Sequence, residues 1–239
     1  MAILRRRLSK VLHKDLLVDL DDRITAEALK AFEMVRDRAG LNTKRSRELE
    51  GQARFRMMEQ GFQEVCELHG GRLLEGGVLP LTDLKVFQPF MRFGEGRHGV
   101  IFGLAAMPEP KTIPGRNKSR LAGVSLNFHL TPRLALDDSG PKFGDLFALL
   151  LVSRDRTRVG KIEEIAIGVI GSNYEAFLFY ETLDEFLKVK EPPKLGLSKS
   201  KEAKPPSPRA VKLKKDAVPF IPPELPKKKD DDDKEADRS

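Results

Sequence analysis

The chain has 239 residues, a formal net charge of +7, one cysteine and no tryptophan. That length suits one ordinary domain with appendages, at roughly 100–200 residues per domain. The lone Cys66 excludes an intrachain disulfide and a cysteine-rich zinc centre, and no apolar run approaches the ~20 residues of a membrane span, so a cytoplasmic protein is expected.

The net charge sums unlike parts. Residues 1–14 carry five Lys/Arg and no acid, residues 15–187 carry 23 basic against 26 acidic, and residues 188–239 carry 15 basic against 10. This describes flexible basic ends on a near-neutral body.

Residues 1–22 read as a basic amphipathic segment. Wound as a helix, they put Leu4, Leu8, Val11 and Leu12 on one side. Transit peptides, membrane-surface helices and nucleic-acid arms share that pattern, and so do terminal helices that pack on their own domain, the commonest case. Residues 23–70 predict a helical hairpin. Thr25 is placed to cap a helix carrying Ala28, Leu29, Phe32 and Val35, and Gly40 to stop it in a left-handed conformation. Asn42-Thr43 can cap a second helix that carries Phe55, Met58, Phe62, Val65 and His69, and the short link makes the pair antiparallel.

After Gly70-Gly71 the pattern changes to short apolar runs, and residues 71–188 predict a β-rich domain sharing one core with the hairpin. Strands are expected near 72–79, 84–93, 98–107, 120–130, 144–153, 160–170 and 174–181, closed by a short helix in TLDEFLK. No helix-length segment separates them, so the fold class is α+β: a helical hairpin packed on an antiparallel β-meander of about six or seven strands, open or barrel-like. DLFALLLVS is apolar throughout and needs cover on both faces, one from the hairpin and one from the sheet's curl, a partner subunit or the tail. Residues 189–239 hold nine of the sixteen prolines and many lysines, which predicts a disordered tail with an acidic end. Within it AVPFIPPELP has the character of a docking motif for a partner protein.

Two basic loops stand out. EPKTIPGRNKSR brings Lys111, Arg116, Lys118 and Arg120, and SRDRTRVGK brings Arg154, Arg156, Arg158 and Lys161. In a meander these connections are two apart and fall at the same end of the sheet. Converging guanidinium forks suit phosphate oxygens, and several such charges gain affinity by releasing counterions. The spacing Arg116-x-x-x-Arg120 resembles the arginine half of the PilZ pattern, whose domains bind cyclic dinucleotides on a small β-barrel. The Asp or Asn followed by x-Ser-x-x-Gly that completes that pattern is not supplied by LAGVSLNFHL.

Asp137, Asp138, Asp145, Glu163 and Glu164 fall on or beside neighbouring predicted strands, and a metal-dependent nuclease would need such a cluster for Mg²⁺. The lysine expected two residues after the glutamates is missing from IAIGV. Cys66 and His69 share a helical face but read as core and core-edge residues, His13, His69, His98 and His129 are too scattered for a zinc site, and GEGRHG reads as a hairpin turn. The expectation is a non-enzymatic nucleic-acid-binding protein, DNA before RNA, with no cofactor and no metal. The competing readings are an assembly subunit, homo-oligomeric and docking partners through its tail, and the nuclease.

Overall fold

A computed structural model describes residues 2–74, 77, 88–96, 98–130 and 144–188 of the chain. The expected tail at 189–239, with its proline-rich island, lies outside the described residues, as do Asp137 and Asp138.

Helix α1 (Ala2–Ser9) buries Leu8, and Leu12 follows it into the core. Helix α2 (Lys14–Arg38) begins eleven residues before the expected cap at Thr25. Leu16, Leu17, Leu20 and Ile24 extend the buried stripe of Ala28, Ala31 and Val35, and Asp15 sits in the first turn, where the helix dipole favours an acid. Thr25 is therefore an exposed mid-helix residue, and residues 14–22 belong to the hairpin. The link forms as its residues dictate: Gly40 has φ +58°, and the Asn42 side chain accepts from the Arg45 N–H at 3.1 Å to cap α3 (Thr43–Leu68).

Among the described residues, six strands follow in one sheet: β1 (Arg72–Leu73), β2 (Met91–Phe93), β3 (Val100–Met107), β4 (Leu146–Arg154), β5 (Ile162–Ile170) and β6 (Phe177–Thr182). They lie in sequence order, and the sheet is open, with β1 and β6 at its edges. Every pair is antiparallel except β3–β4, which is parallel in register from Val100↔Leu146 to Met107↔Ser153. The pure meander is thus corrected to a mixed sheet. The cause is the segment at 120–130, expected as a strand, which forms α4 (Lys118–Ser125) and a 3-10 turn (Leu126–Leu130). Asn117 caps α4 by accepting from the Arg120 N–H at 2.7 Å. A crossover containing a helix returns the chain in its original direction, so β4 joins β3 in parallel.

The crossover also answers what covers the second face. Along β4, Leu146, Ala148, Leu150 and Val152 enter the core under α1, α2, α3 and α5 (Leu183–Leu187), while Phe147, Leu149 and Leu151 enter a second core with Phe90, Ala122 and Val124. Neither sheet curl, tail nor partner subunit is required there. Gly123 lets α4 approach closely, since a Cβ on it would meet the Phe147 ring at 2.5 Å. Fully buried Asn127 stitches the crossover to two strands, donating to the Phe147 and Ile170 carbonyls and accepting from the Phe147 N–H, each at 2.9 Å. Thr182 and Glu185 form a capping box on α5. No helix among the described residues is long and apolar enough to cross a membrane.

Candidate functional site

Parallel β3 and β4 end at the same side of the sheet, so the segments that follow them, 108–117 and 155–161, leave from one end. The sequence-based parity count gave this placement through an extra strand, because an intervening antiparallel strand and a helical crossover both restore chain direction. Arg156 joins the two segments: its Nη2 lies 2.8 Å from Glu109 Oε1 and donates to the Pro108 carbonyl at 3.5 Å. Asp155 organises the turn by accepting from Thr157 N–H at 2.8 Å, Thr157 Oγ1 at 2.7 Å and Arg158 N–H at 2.9 Å, and it also pairs with the Arg158 guanidinium. The Thr157 hydroxyl and then the Arg158 contacts hold its carboxyl far below the usual range.

The basic half of the first loop goes elsewhere. Lys111, at φ +61°, donates its N–H to Tyr180 Oη at 3.1 Å, and Tyr174 Oη donates to the Pro114 carbonyl at 3.1 Å. Arg116 lies 5.6 Å over the Tyr174 ring and donates to the Tyr174 carbonyl at 3.4 Å. Tyr174 belongs to the turn after β5, whereas 155–161 precedes β5, and the strand separates them by about 26 Å at 3.3 Å per residue. Arg116 therefore reaches toward the opposite end. Arg120 is half-buried, its Nε has no hydrogen-bond partner among the described residues, and burial lowers its pKa against a smaller upward pull from Tyr174. Of the eight basic residues singled out, Arg154, Arg156, Arg158 and Lys161 lie in or beside one turn, Arg116 clasps Tyr174, Arg120 is half-buried, and Lys111 and Lys118 are exposed.

A cleft of about 530 Å³ opens between α3 and the C-terminal ends of β3 and β4. Gly51, Phe55, Met58, Ala106, Met107, Pro108, Gly115, Val152 and Ile162 make its walls, and Arg54, Arg154 and Arg156 also line it, with no carboxylate among the described residues. Arg154 is exposed and forms no ion pair among the described residues. Arg54 is only 9% exposed; it pairs with Glu50, yet its Nε is buried without a hydrogen-bond partner among the described residues. The stripe read from the sequence, Phe55, Met58, Phe62, Val65 and His69, left Arg54 out. The signal was available: positions 54, 58, 62 and 66 are spaced by four, which continues the stripe of Met58, Phe62 and Cys66 back to the arginine. Two neighbouring grooves contain Arg158, and one of them Lys161, but Glu163 lines both and Asp155 or Asp21 and Asp184 add further acid.

Of the carboxylates singled out, Asp145 and Glu164 do not come together. Asp145 starts β4 and accepts from Arg92 Nε at 2.7 Å, Arg92 Nη2 at 3.0 Å and the Gly99 N–H at 2.7 Å. Glu164 pairs across from Ser153, eight residues further along β4, which places it about 26 Å away. The separation expected to suit a shared Mg²⁺ is thus corrected, because antiparallel pairing sets the start of β5 beside the end of β4. Among the described residues, no three His, Cys, Asp or Glu side chains gather as a metal site. Cys66 is buried, which pushes its thiol pKa far up, and His69 Nε2 lies 2.7 Å from Asp19 Oδ2, so the pair is core and core edge as expected. GEGRHG connects β2 to β3, with Gly94 and Gly96 at φ +87° and +70°.

The N-terminal segment is a packing element rather than a free arm. Arg5 Nε donates to Glu181 at 2.8 Å and its Nη2 to the Phe186 carbonyl at 2.9 Å. Arg7 Nη2 donates to the carbonyls of Gly144 at 2.6 Å and Gly99 at 3.2 Å.

Fold and cleft together define an α+β protein whose mixed sheet carries an arginine-lined cleft at the ends of its parallel strands. The chain matches no family model, no curated protein and no solved structure.

Proposed function

We propose that the chain is a non-enzymatic nucleic-acid-binding protein that holds phosphates at one end of its sheet. Arg154, Arg156, Arg158 and Lys161 supply charge there, and Lys44, Arg45 and Arg47, exposed one to two turns along α3 from Gly51, extend it. The observation that carries the reading is the cleft, with three arginines and no carboxylate among the described residues of its lining, Arg54 and Arg156 being paired with Glu50 and Glu109 beside it. Guanidinium groups pair bidentately with phosphate oxygens, and several together gain affinity by counterion release. Among the described residues, no phenylalanine or tyrosine is an exposed large apolar residue, so duplex DNA is favoured over a strand whose bases stack on an open aromatic platform.

The test is fluorescence anisotropy with duplex DNA, single-stranded DNA and RNA at two salt concentrations, using the full chain and Arg154→Ala/Arg156→Ala/Arg158→Ala/Lys161→Ala. The reading expects affinity to fall steeply with salt, and the fourfold variant to bind at least about tenfold more weakly with a shallower salt slope. Binding indifferent to salt, or undiminished in the variant, overturns it.

A further inference from the structure

We infer that the cleft between α3 and the ends of β3 and β4 binds one nucleoside phosphate, its base between the apolar walls and its phosphate on Arg154 and Arg156. The inference rests on the phosphate-binding reading of those two arginines and gives the space beside them an occupant. The volume of about 530 Å³ lies within the range of small-molecule sites. Phe55, Met58, Val152 and Ile162 offer apolar surface to the faces of a planar ring, and the arginines, with no carboxylate among the described lining residues, favour an anion.

Phe55 favours a ring over an acyl chain, since a planar base can stack on its face. Arg54 adds positive charge beside the cleft while pairing with Glu50, and its Nε is fully buried, out of reach of a ligand. The location agrees, since open sheets bind ligands beyond the carboxyl ends of their parallel strands.

Gly51 makes the inference breakable without unfolding the protein. A Cβ there would meet nothing within 4 Å and the residue is helical, so Gly51→Leu projects a side chain into open space while raising helix propensity.

The experiment is calorimetric titration of the full chain with AMP, adenosine, ribose 5-phosphate and decanoate, and with a single-stranded oligonucleotide bearing a 5′-phosphate. The expected result is AMP at one site, adenosine and ribose 5-phosphate each at least about tenfold weaker, and no decanoate binding. Gly51→Leu should abolish AMP binding with an unchanged or higher melting temperature, and Arg154→Ala should weaken it. If only the oligonucleotide binds, and Gly51→Leu weakens it, the occupant is the end of a strand; if AMP binds, it is a free nucleotide. Decanoate binding as tightly as AMP, binding unaffected by Gly51→Leu, or no binding of either nucleotide probe overturns the inference. Duplex DNA binding that persists through such a failure leaves the phosphate reading standing, whereas its absence at low salt removes that reading.

Discussion

Arg7 and Arg154 both sit in stretches dense with positive charge, and the fold uses them in opposite ways. Arg7 Nη2 donates to two backbone carbonyls, those of Gly144 and Gly99, and so ties α1 to the starts of β3 and β4. Burial lowers its pKa, partly offset by Asp145. Arg154 stands exposed at the end of β4 with no ion pair among the described residues. A charge count weighs them equally, but Arg7 is committed to backbone carbonyls while Arg154 is open to a ligand. Arg5 and Arg7 of the basic N-terminus are thus mortar for the sheet, and in the basic turn after β4 the cations are exposed, Arg156 and Arg158 only in surface ion pairs.

The strongest way to break this contrast is to loosen α1. Leu8→Ala removes a fully buried side chain and should cost about 2–5 kcal/mol of unfolding free energy in urea. A loss below about 0.5 kcal/mol would mean that α1 is an arm after all.

A matched pair of substitutions sharpens the contrast. Arg7→Ala should destabilise by about 1–3 kcal/mol, because the half-buried Gly144 carbonyl loses the Arg7 donor while that of Gly99 keeps only the Leu146 N–H, and should leave the DNA affinity of the folded protein unchanged. Arg154→Ala should do the converse, with stability within about 0.5 kcal/mol and a salt slope of DNA binding reduced by about 1. Equal effects of the two on binding would erase the distinction.

Glu109→Gln releases Arg156 from its exposed ion pair and should strengthen DNA binding by about two- to threefold, consistent with the small worth of surface pairs. The smallest effect belongs to Asp155. Its folded pKa is depressed, so its contribution to the turn is present above the ordinary carboxylate pKa near 3.8 and is lost as pH falls through the lower folded value. Amide resonances of Thr157 and Arg158 should therefore hold steady on acidification to pH 4 and shift only well below it.

Much of the fold was legible because its signals are local. Gly40, Asn42 and Thr182 each act within four residues, and all three do what their side chains and neighbours imply. The α+β class and most strands followed from alternation and turn residues. What failed was decided at a distance. The run after Asn117 is short and apolar enough to be strand or helix, and only its packing on Phe147 and Phe90 settles it as α4. Thr25 looked like a cap until Leu16 and Leu20 proved to share its helix's buried stripe. In the candidate site, Arg154 and Arg156 were legible as charge in a tight turn. Arg116 was drawn away by Tyr174, 58 residues on, a contact with no local trace. Arg54 was hidden by its type, since an arginine within an apolar stripe reads as polar surface.

The crossover described above has an optical consequence. The chain contains two tyrosines and no tryptophan, and both phenols, Tyr174 through Pro114 and Tyr180 through Lys111, hold the same segment between β3 and α4. Burial pushes both phenol pKa values up. The near-ultraviolet spectrum of this protein is therefore dominated by one stretch of chain, and tyrosinate absorbance on an alkaline ramp reports when that stretch lets go, with no label attached.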